Sequence, residues 1–416
     1  MILKYKAILG LRVIAMLVVV ASGNPTTVQA QVRLGNDVFV EKELHRRTGK
    51  RLGVITNHAS RLATGEFLVD VLLAKGVSVT ALFGPEHGIR SDAAAGETVS
   101  DAKDEKTGIP IFSLYGKTKK PTPSMLANID VLVYDIQDVG VRFYTYISTM
   151  GLCMEAAAEQ GIPFIVLDRP NPLGGVKIDG PIIEDSLKSF VGMYPIPVVY
   201  GLTCGELATM INEEGWLANG VKCNLIVITM EGWKRAMRWE QTGLPWIPPS
   251  PNIKTPATTR VYPATCYFEA TNFSEGRGTD RPFHLTGVPP ERETAWGFSQ
   301  VLRSLDSARI PGLKVERATF IPQSSKHQQQ TCIGFTFDVE DWDTFRPVST
   351  GLFILKKLEQ NGLLKIREAS LQRLVGRKNV LALLHLAQTP QALAKHWEND
   401  MLKFRALARK FFLYQE

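Results

Sequence analysis

The sequence has few cysteines, and no long apolar run follows its first two dozen residues. Cys153, Cys204, Cys223, Cys266 and Cys332 lie far apart in 416 residues, with no Cys-x-x-Cys pair. That spacing argues against a zinc cluster, and an odd number leaves at least one thiol free. Cys153 and Cys204 fall in helix-like stretches, where a thiol packs as a small apolar group. The signatures HExxH and GxSxG are absent. SDAK at 100–103 and KTG at 106–108 share one short charged segment, whereas a penicillin-binding or β-lactamase fold needs them on distant elements. GKT at 116–118 lacks the upstream glycine of a P-loop, and GRGTDR at 276–281 lacks the third glycine of a dinucleotide fingerprint. Lys and Arg are spread along the chain without a basic block, so no nucleic-acid partner is expected.

What is present is ordinary for a globular protein, at a length that suggests two domains. Residues 1–30 stand apart. Lys4 and Lys6 precede a mostly apolar stretch at 7–21, and Val28-Gln29-Ala30 resembles a small-residue cleavage site. The stretch is short for a span, which needs roughly 20 residues. It therefore reads as an export signal removed before Gln31, not a retained anchor. No membrane span is expected after removal. The formal charge of +7 then falls to +4, because Lys4, Lys6 and Arg12 are lost with no acid.

Between residues 50 and 230, β-branched apolar runs alternate with helix-like stretches. Strands are expected at 52–56, 77–83, 131–136, 163–167 and 225–229. Their near-continuous apolar character suits strands covered on both faces. Helices are expected at 66–75, 124–127, 144–160 and 204–214, with Gly76 and Gly161 as stops. Thr203 and Glu206 form a capping-box pattern. This alternation means α/β with a mostly parallel sheet. The proline-dense stretch 246–256 is expected to be irregular and near a domain boundary. Beyond it lie a polar, aromatic segment at 261–286, a helix at 295–305, strands at 318–321 and 332–339, and helices from 350. The expected organisation is a domain at 31–240 followed by a smaller α+β domain at 241–416.

Four of the strand-like runs end in polar clusters: Asn57-His58, Gly84-Pro85-Glu86-His87-Gly88, Asp135-Ile136-Gln137-Asp138 and Asp168-Arg169-Pro170-Asn171. In a parallel sheet these reach one edge, where open α/β folds bind ligands. Glu86, in a rigid Gly/Pro turn, is either a general acid or a cap for nearby backbone. Asp135 and Asp138, with Arg142 close by, are either pocket groups or a structural ion pair. Asp168 ends a strand; Arg169 and Asn171 either join it in the pocket or satisfy loop carbonyls. The segment 269–283 gathers Glu269, Asn272, Ser274, Glu275 and Arg277, residues suited to sugar hydroxyl, acetamido or carboxylate recognition. His58 and His87 with Asp135 and Asp138 match no metal-ligand spacing, and no metal is expected.

The stretches LGVITNHAS, ALFGPEHGIR, AGETV, TGIPIFSLYGKT, DVLVYDIQDVGVRFYTYISTM, VLDRPNPLGG, SFVGMYPIPVVYGLTCGELA, PSPN and EATNFSEGRGTDRPF occur in order over residues 50–285. Together they resemble the NamZ/YbbC family of exo-β-N-acetylmuramidases; His58 stands where that pattern has Gln. The resemblance implies a Rossmann-like domain, a smaller C-terminal domain and an active-site cleft between them. It implies release of N-acetylmuramic acid from non-reducing ends of peptidoglycan fragments, without a cofactor, and a catalytic role for Glu86. A second carboxylate would come from Asp168, Asp135, Asp138, Glu269 or Glu275, or the substrate's acetamido group would serve. Arg142, Arg169 and Arg277 are the candidate partners of the lactyl carboxylate. The competing readings are a non-catalytic wall-fragment binder and a metal-dependent amide or ester hydrolase. The expected partners are muramyl saccharides met outside the cytoplasm.

Overall fold

A computed structural model describes residues 32–89, 101–291 and 294–416; the signal-like segment and the AGETV motif lie outside them. Seven strands form the larger sheet: β1 (Arg51–Thr56), β2 (Ser78–Gly84), β3 (Ala102–Lys103), β4 (Pro110–Ser113), β5 (Val131–Asp135), β6 (Phe164–Leu167) and β7 (Leu225–Ile228). Their order is β3-β4-β2-β1-β5-β6-β7. Every neighbouring pair is parallel except β3 with β4. The chain lays strands outward from β1, then returns to start the other side at β5. The short pair β3 and β4 is not apparent in the sequence, since neither carries a long apolar run.

Alternate side chains enter opposite layers, as a pleated strand requires. Val54, Val133 and Ile165 pack with Leu68 and Leu72 of the helix Leu68–Ala74. Leu132, Tyr134, Phe164 and Val166 pack on the other face with Met150 and Met154 of Tyr146–Glu159, and with Leu207 and Ile211 of Cys204–Glu213. Thr203 accepts from the Glu206 amide while Glu206 accepts from the Thr203 amide, the reciprocal cap expected from the sequence.

The second sheet is antiparallel, in the order β8-β10-β9: β8 (Leu285–Val288), β9 (Leu313–Phe320) and β10 (Cys332–Val339). Phe268, Phe273, Phe298 and Phe335 from this half continue the same apolar core that covers the first sheet. The proline-dense stretch is irregular through Thr255, as expected, and a helix not foreseen, Pro256–Thr265, begins at its last proline. Pro256 opens it, where its missing N–H is not needed, and Thr255 caps the Thr258 amide. Pro263 removes only one main-chain bond inside it. The helix Pro347–Gln360 crosses it closely at Gly351, where a Cβ would stand 2.0 Å from the Ala264 carbonyl oxygen.

The C-terminus returns to the first sheet. The Leu413 amide donates to Glu206, the Tyr414 hydroxyl to Asp168 (2.6 Å), and the Arg235 amide to the Gln415 carbonyl. Arg235 in turn forms a buried ion pair with Glu206 and lies over the Phe412 ring. All five cysteines are free and buried. Among the described residues, no helix is long and apolar enough to cross a membrane.

Asp138 makes one part of this scaffold pH-sensitive. Burial pushes its carboxyl up to about 6, against the hydrogen bonds from Tyr200 and the Gly140 amide, and its Oδ1 has no partner. An unfolded aspartate titrates near 3.9. Between those values the folded chain holds more protons than the unfolded one, so this contribution to stability falls as pH rises through about 6. Thermal melting from pH 4 to 8 should show Asp138→Asn with a shallower loss of Tm above pH 5 than the wild type. Equal slopes would mean that this carboxyl is ionised throughout.

Candidate active site

The turn after β2 aims Glu86. The Gly88 amide donates to the Pro85 carbonyl (2.9 Å), and His87 adopts a left-handed φ of 72°, costly for a residue with a side chain. Such strain is held where surrounding contacts demand it. The turn places Glu86 and His87 on the wall of a cavity of about 740 Å³. The Thr145 hydroxyl donates to Glu86 Oε2 (2.8 Å), and the Tyr146 hydroxyl lies 3.4 Å from the Glu86 carbonyl. The Tyr115 hydroxyl also meets the Glu86 carboxylate. Burial first, and that carboxylate second, push the phenol up to about 12, so it stays a donor.

Other walls come from the C-terminal half. Glu269, Glu275, Arg277 and Lys326 line the same cavity, as do Ser250, Asn252, Lys254 and Tyr262. Arg277 bridges two carboxylates, Glu269 at 2.5 Å and Glu275 at 3.0 Å, and Lys326 pairs with Glu275 at 2.9 Å. Two acids and two bases thus cancel. Burial raises the Glu269 carboxyl despite Arg277. Its side chain is 32% exposed against 3% for Glu275, so Glu269 is the more open of the two.

Five expected residues therefore line one cavity: Glu86, His87, Glu269, Glu275 and Arg277. The polar clusters that directly end β1, β5 and β6 do not join them there; their side chains are spent on one another and on neighbouring main chain. Asp135 is fully buried and takes two bonds from Arg169 and one from Asn36. Asp168, also fully buried, accepts from the Thr203 hydroxyl, the Gly205 amide, the Arg169 amide and Tyr414. These donors tie it into the start of a helix, where no substrate reaches it. Asp138 is held by Tyr200, and Gln137 donates to the carbonyls of Asp138 and Pro170. Asn171 bonds Leu202 and Leu173.

Arg142 donates to the carbonyls of Pro181, Ile196, Leu374 and Val375. Neither it nor Arg169 is placed to meet a ligand's carboxylate. Asn57 supports the site from behind, donating to the Tyr146 hydroxyl and the Pro249 carbonyl, while His58 contacts the Pro248 carbonyl. Ser274 and Asn272 bond main chain at Gly276 and Lys365.

Polar cavity residues not foreseen include Tyr115, Thr145, Ser250, Asn252, Lys254, Tyr262 and the stretch 324–326. Tyr115 follows β4 just as Glu86 follows β2, so the strand-end rule would have found it had that short strand been recognised. Thr145, Ser250 and Asn252 lie within the quoted motifs FYTYISTM and PSPN.

Comparison with known proteins agrees with this arrangement. Residues 52–257 match the family model for the N-terminal part of exo-β-N-acetylmuramidase NamZ, and residues 260–414 the model for its C-terminal part. The cavity draws on both segments. The chain is 43% identical, over 94% of both proteins, to the peptidoglycan β-N-acetylmuramidase NamZ of Bacillus subtilis (strain 168). Crystal structures of two DUF1343 family proteins from Bacteroides fragilis NCTC 9343 are similar. One has a TM-score of 0.84 at 37% identity, covering 92% of this chain and 99% of that one. The other has 0.75 at 30%, covering 93% and 100%. With both halves matched in order and a relative aligned along almost its whole length, the chain belongs to the NamZ exo-β-N-acetylmuramidase family.

Proposed function

We propose that this chain is a glycoside hydrolase that removes N-acetylmuramic acid from the non-reducing ends of peptidoglycan fragments. One observation carries the reading: Glu86 from the first half and Glu269 and Glu275 from the second line a single sugar-sized cavity. Glu86, oriented by the Thr145 hydroxyl, is the general acid. Its proton passes to the bridging oxygen as the bond from C1 breaks, and the leaving sugar departs as an alcohol. Glu269 is the second carboxylate, meeting the positive charge that develops on the ring; water then bonds to C1 and gives up a proton to the carboxylate pair, which restores the acid and releases the free sugar.

Glu86→Gln should lower release of a chromophore from an N-acetylmuramide by about 10²–10⁴-fold, with unchanged thermal melting. Glu269→Gln should lose activity comparably. Full activity in the first variant removes Glu86 from the acid role, and in the second removes Glu269.

The lactyl carboxylate needs a cation, and we assign Lys254. Arg142 and Arg169 are committed elsewhere, and Arg277 already faces two glutamates. Lys254 lines the cavity, is exposed, and donates to the Thr279 carbonyl at 2.8 Å. Lys254→Met should raise KM for an N-acetylmuramide about ten-fold with little change in kcat, as loss of one charge-assisted contact predicts. An unaltered KM would exclude the assignment.

We also infer export, on the basic start, apolar stretch and Val28-Gln29-Ala30 of the first thirty residues. Expression of the full chain in a bacterium should yield extracytoplasmic protein beginning at Gln31 by N-terminal sequencing; an intact Met1 in that fraction counts against cleavage.

A further inference from the structure

A second cavity of about 770 Å³ shares no lining residue with the first. Its wall carries Lys177, Arg235, Arg238, Arg346 and Arg405 against only Asp179 and Asp343. Several of these are accounted for by the fold. Arg235 is neutralised by Glu206. Asp179 is buried and accepts from the Val348 and Gly180 amides. Lys177 donates to the carbonyls of Trp342, Asp343 and Phe345 and lies over the Trp342 ring, so it shapes the wall.

Three guanidiniums remain. Arg346 and Arg405 are exposed, and among the described residues neither has an acid within ion-pair distance. Among the described residues Arg238 has one acid within ion-pair distance, Asp343 at 3.6 Å and 77% exposed, a weak surface pair, with Glu240 a further charged neighbour already paired with Arg260. Three arginines with one weakly placed carboxylate on the wall leave a positive hollow. Exposed Val176 supplies it an apolar edge.

We infer that this hollow is a second, non-catalytic binding site for carboxylate-bearing segments of the wall polymer, an inference that rests on the proposed function. The planar guanidinium fork matches a carboxylate in two parallel hydrogen bonds. Stem peptides and lactyl groups give wall polymer many carboxylates, whereas an exo-acting enzyme finds few chain ends. A weak site elsewhere on the surface holds the polymer and raises the effective concentration of ends at the active site.

The test uses the mature protein and the Arg346→Glu/Arg405→Glu double variant. Sedimentation with insoluble, stem-peptide-bearing peptidoglycan should show apparent affinity weakened about ten-fold or more, as reversal of contacting charges does. Wild-type binding should fall with added salt. Turnover of a small chromogenic N-acetylmuramide should keep its kcat and KM in the variant, which also reports that it is folded. Failure of the wild type to sediment, or equal sedimentation of both proteins, overturns the inference. Competition by a soluble phosphate polymer but not by a soluble polycarboxylate overturns the choice of ligand. Sedimentation is read without turnover, so failure of the proposed activity and failure of this site are told apart.

Discussion

One guanidinium holds the two halves of the active cavity in register. Arg142 has no exposed surface and, among the described residues, no carboxylate partner; it is solvated instead by four main-chain carbonyls. Two belong to the segment that follows β6 and two to the end of the helix Glu368–Val375. Burial pulls its pKa down to about 10, which still leaves it charged at neutral pH. Both terminal nitrogens are satisfied while the buried Nε has no partner among the described residues, so a buried charge that depends on those four carbonyls holds them where they are. The next three residues are Phe143, Tyr144 and Thr145, all on the cavity wall. The position of the hydroxyl that orients Glu86 is therefore set by a contact spanning over 230 residues of sequence.

The parallel sheet was legible because its strands carry the composition that double-sided burial selects. The five long runs appear within a residue or two of their expected limits, and the capping box at Thr203 and Glu206 is present as written. The roles of the strand-end clusters were not legible, for a physical reason. A carboxylate at the edge of a parallel sheet either faces a ligand or is satisfied by neighbouring loops, and both fates use the same residue types. Asp168 is decided by partners at Thr203, Gly205 and Tyr414, the last 246 residues away. Asp135 is decided by Arg169 and Asn36. No local pattern encodes such partners.

Glu86 differs from those aspartates in its backbone. Asp135 ends its strand still in register, which points it into the layer that Arg169 fills. The Pro85 turn and left-handed His87 lift Glu86 out of that layer and toward the segments supplied by the second half. The GPEHG motif signalled this turn in advance, since Pro and Gly on either side of an acid restrict the backbone more than the acid itself does.

The three glutamates of the cavity are treated unequally, and the inequality separates their tasks. Glu275 is closed in by Arg277 and Lys326, so it serves chiefly to hold those cations. Glu269 shares Arg277 but keeps a third of its side chain open. Glu86 meets hydroxyls, from Thr145 and from Tyr115. A donating hydroxyl orients a carboxyl through one hydrogen bond, whereas a guanidinium within ion-pair distance adds a full opposite charge. At Glu269 the two effects oppose each other: burial raises the carboxyl and Arg277 pulls it back toward the charged form that a developing cation needs.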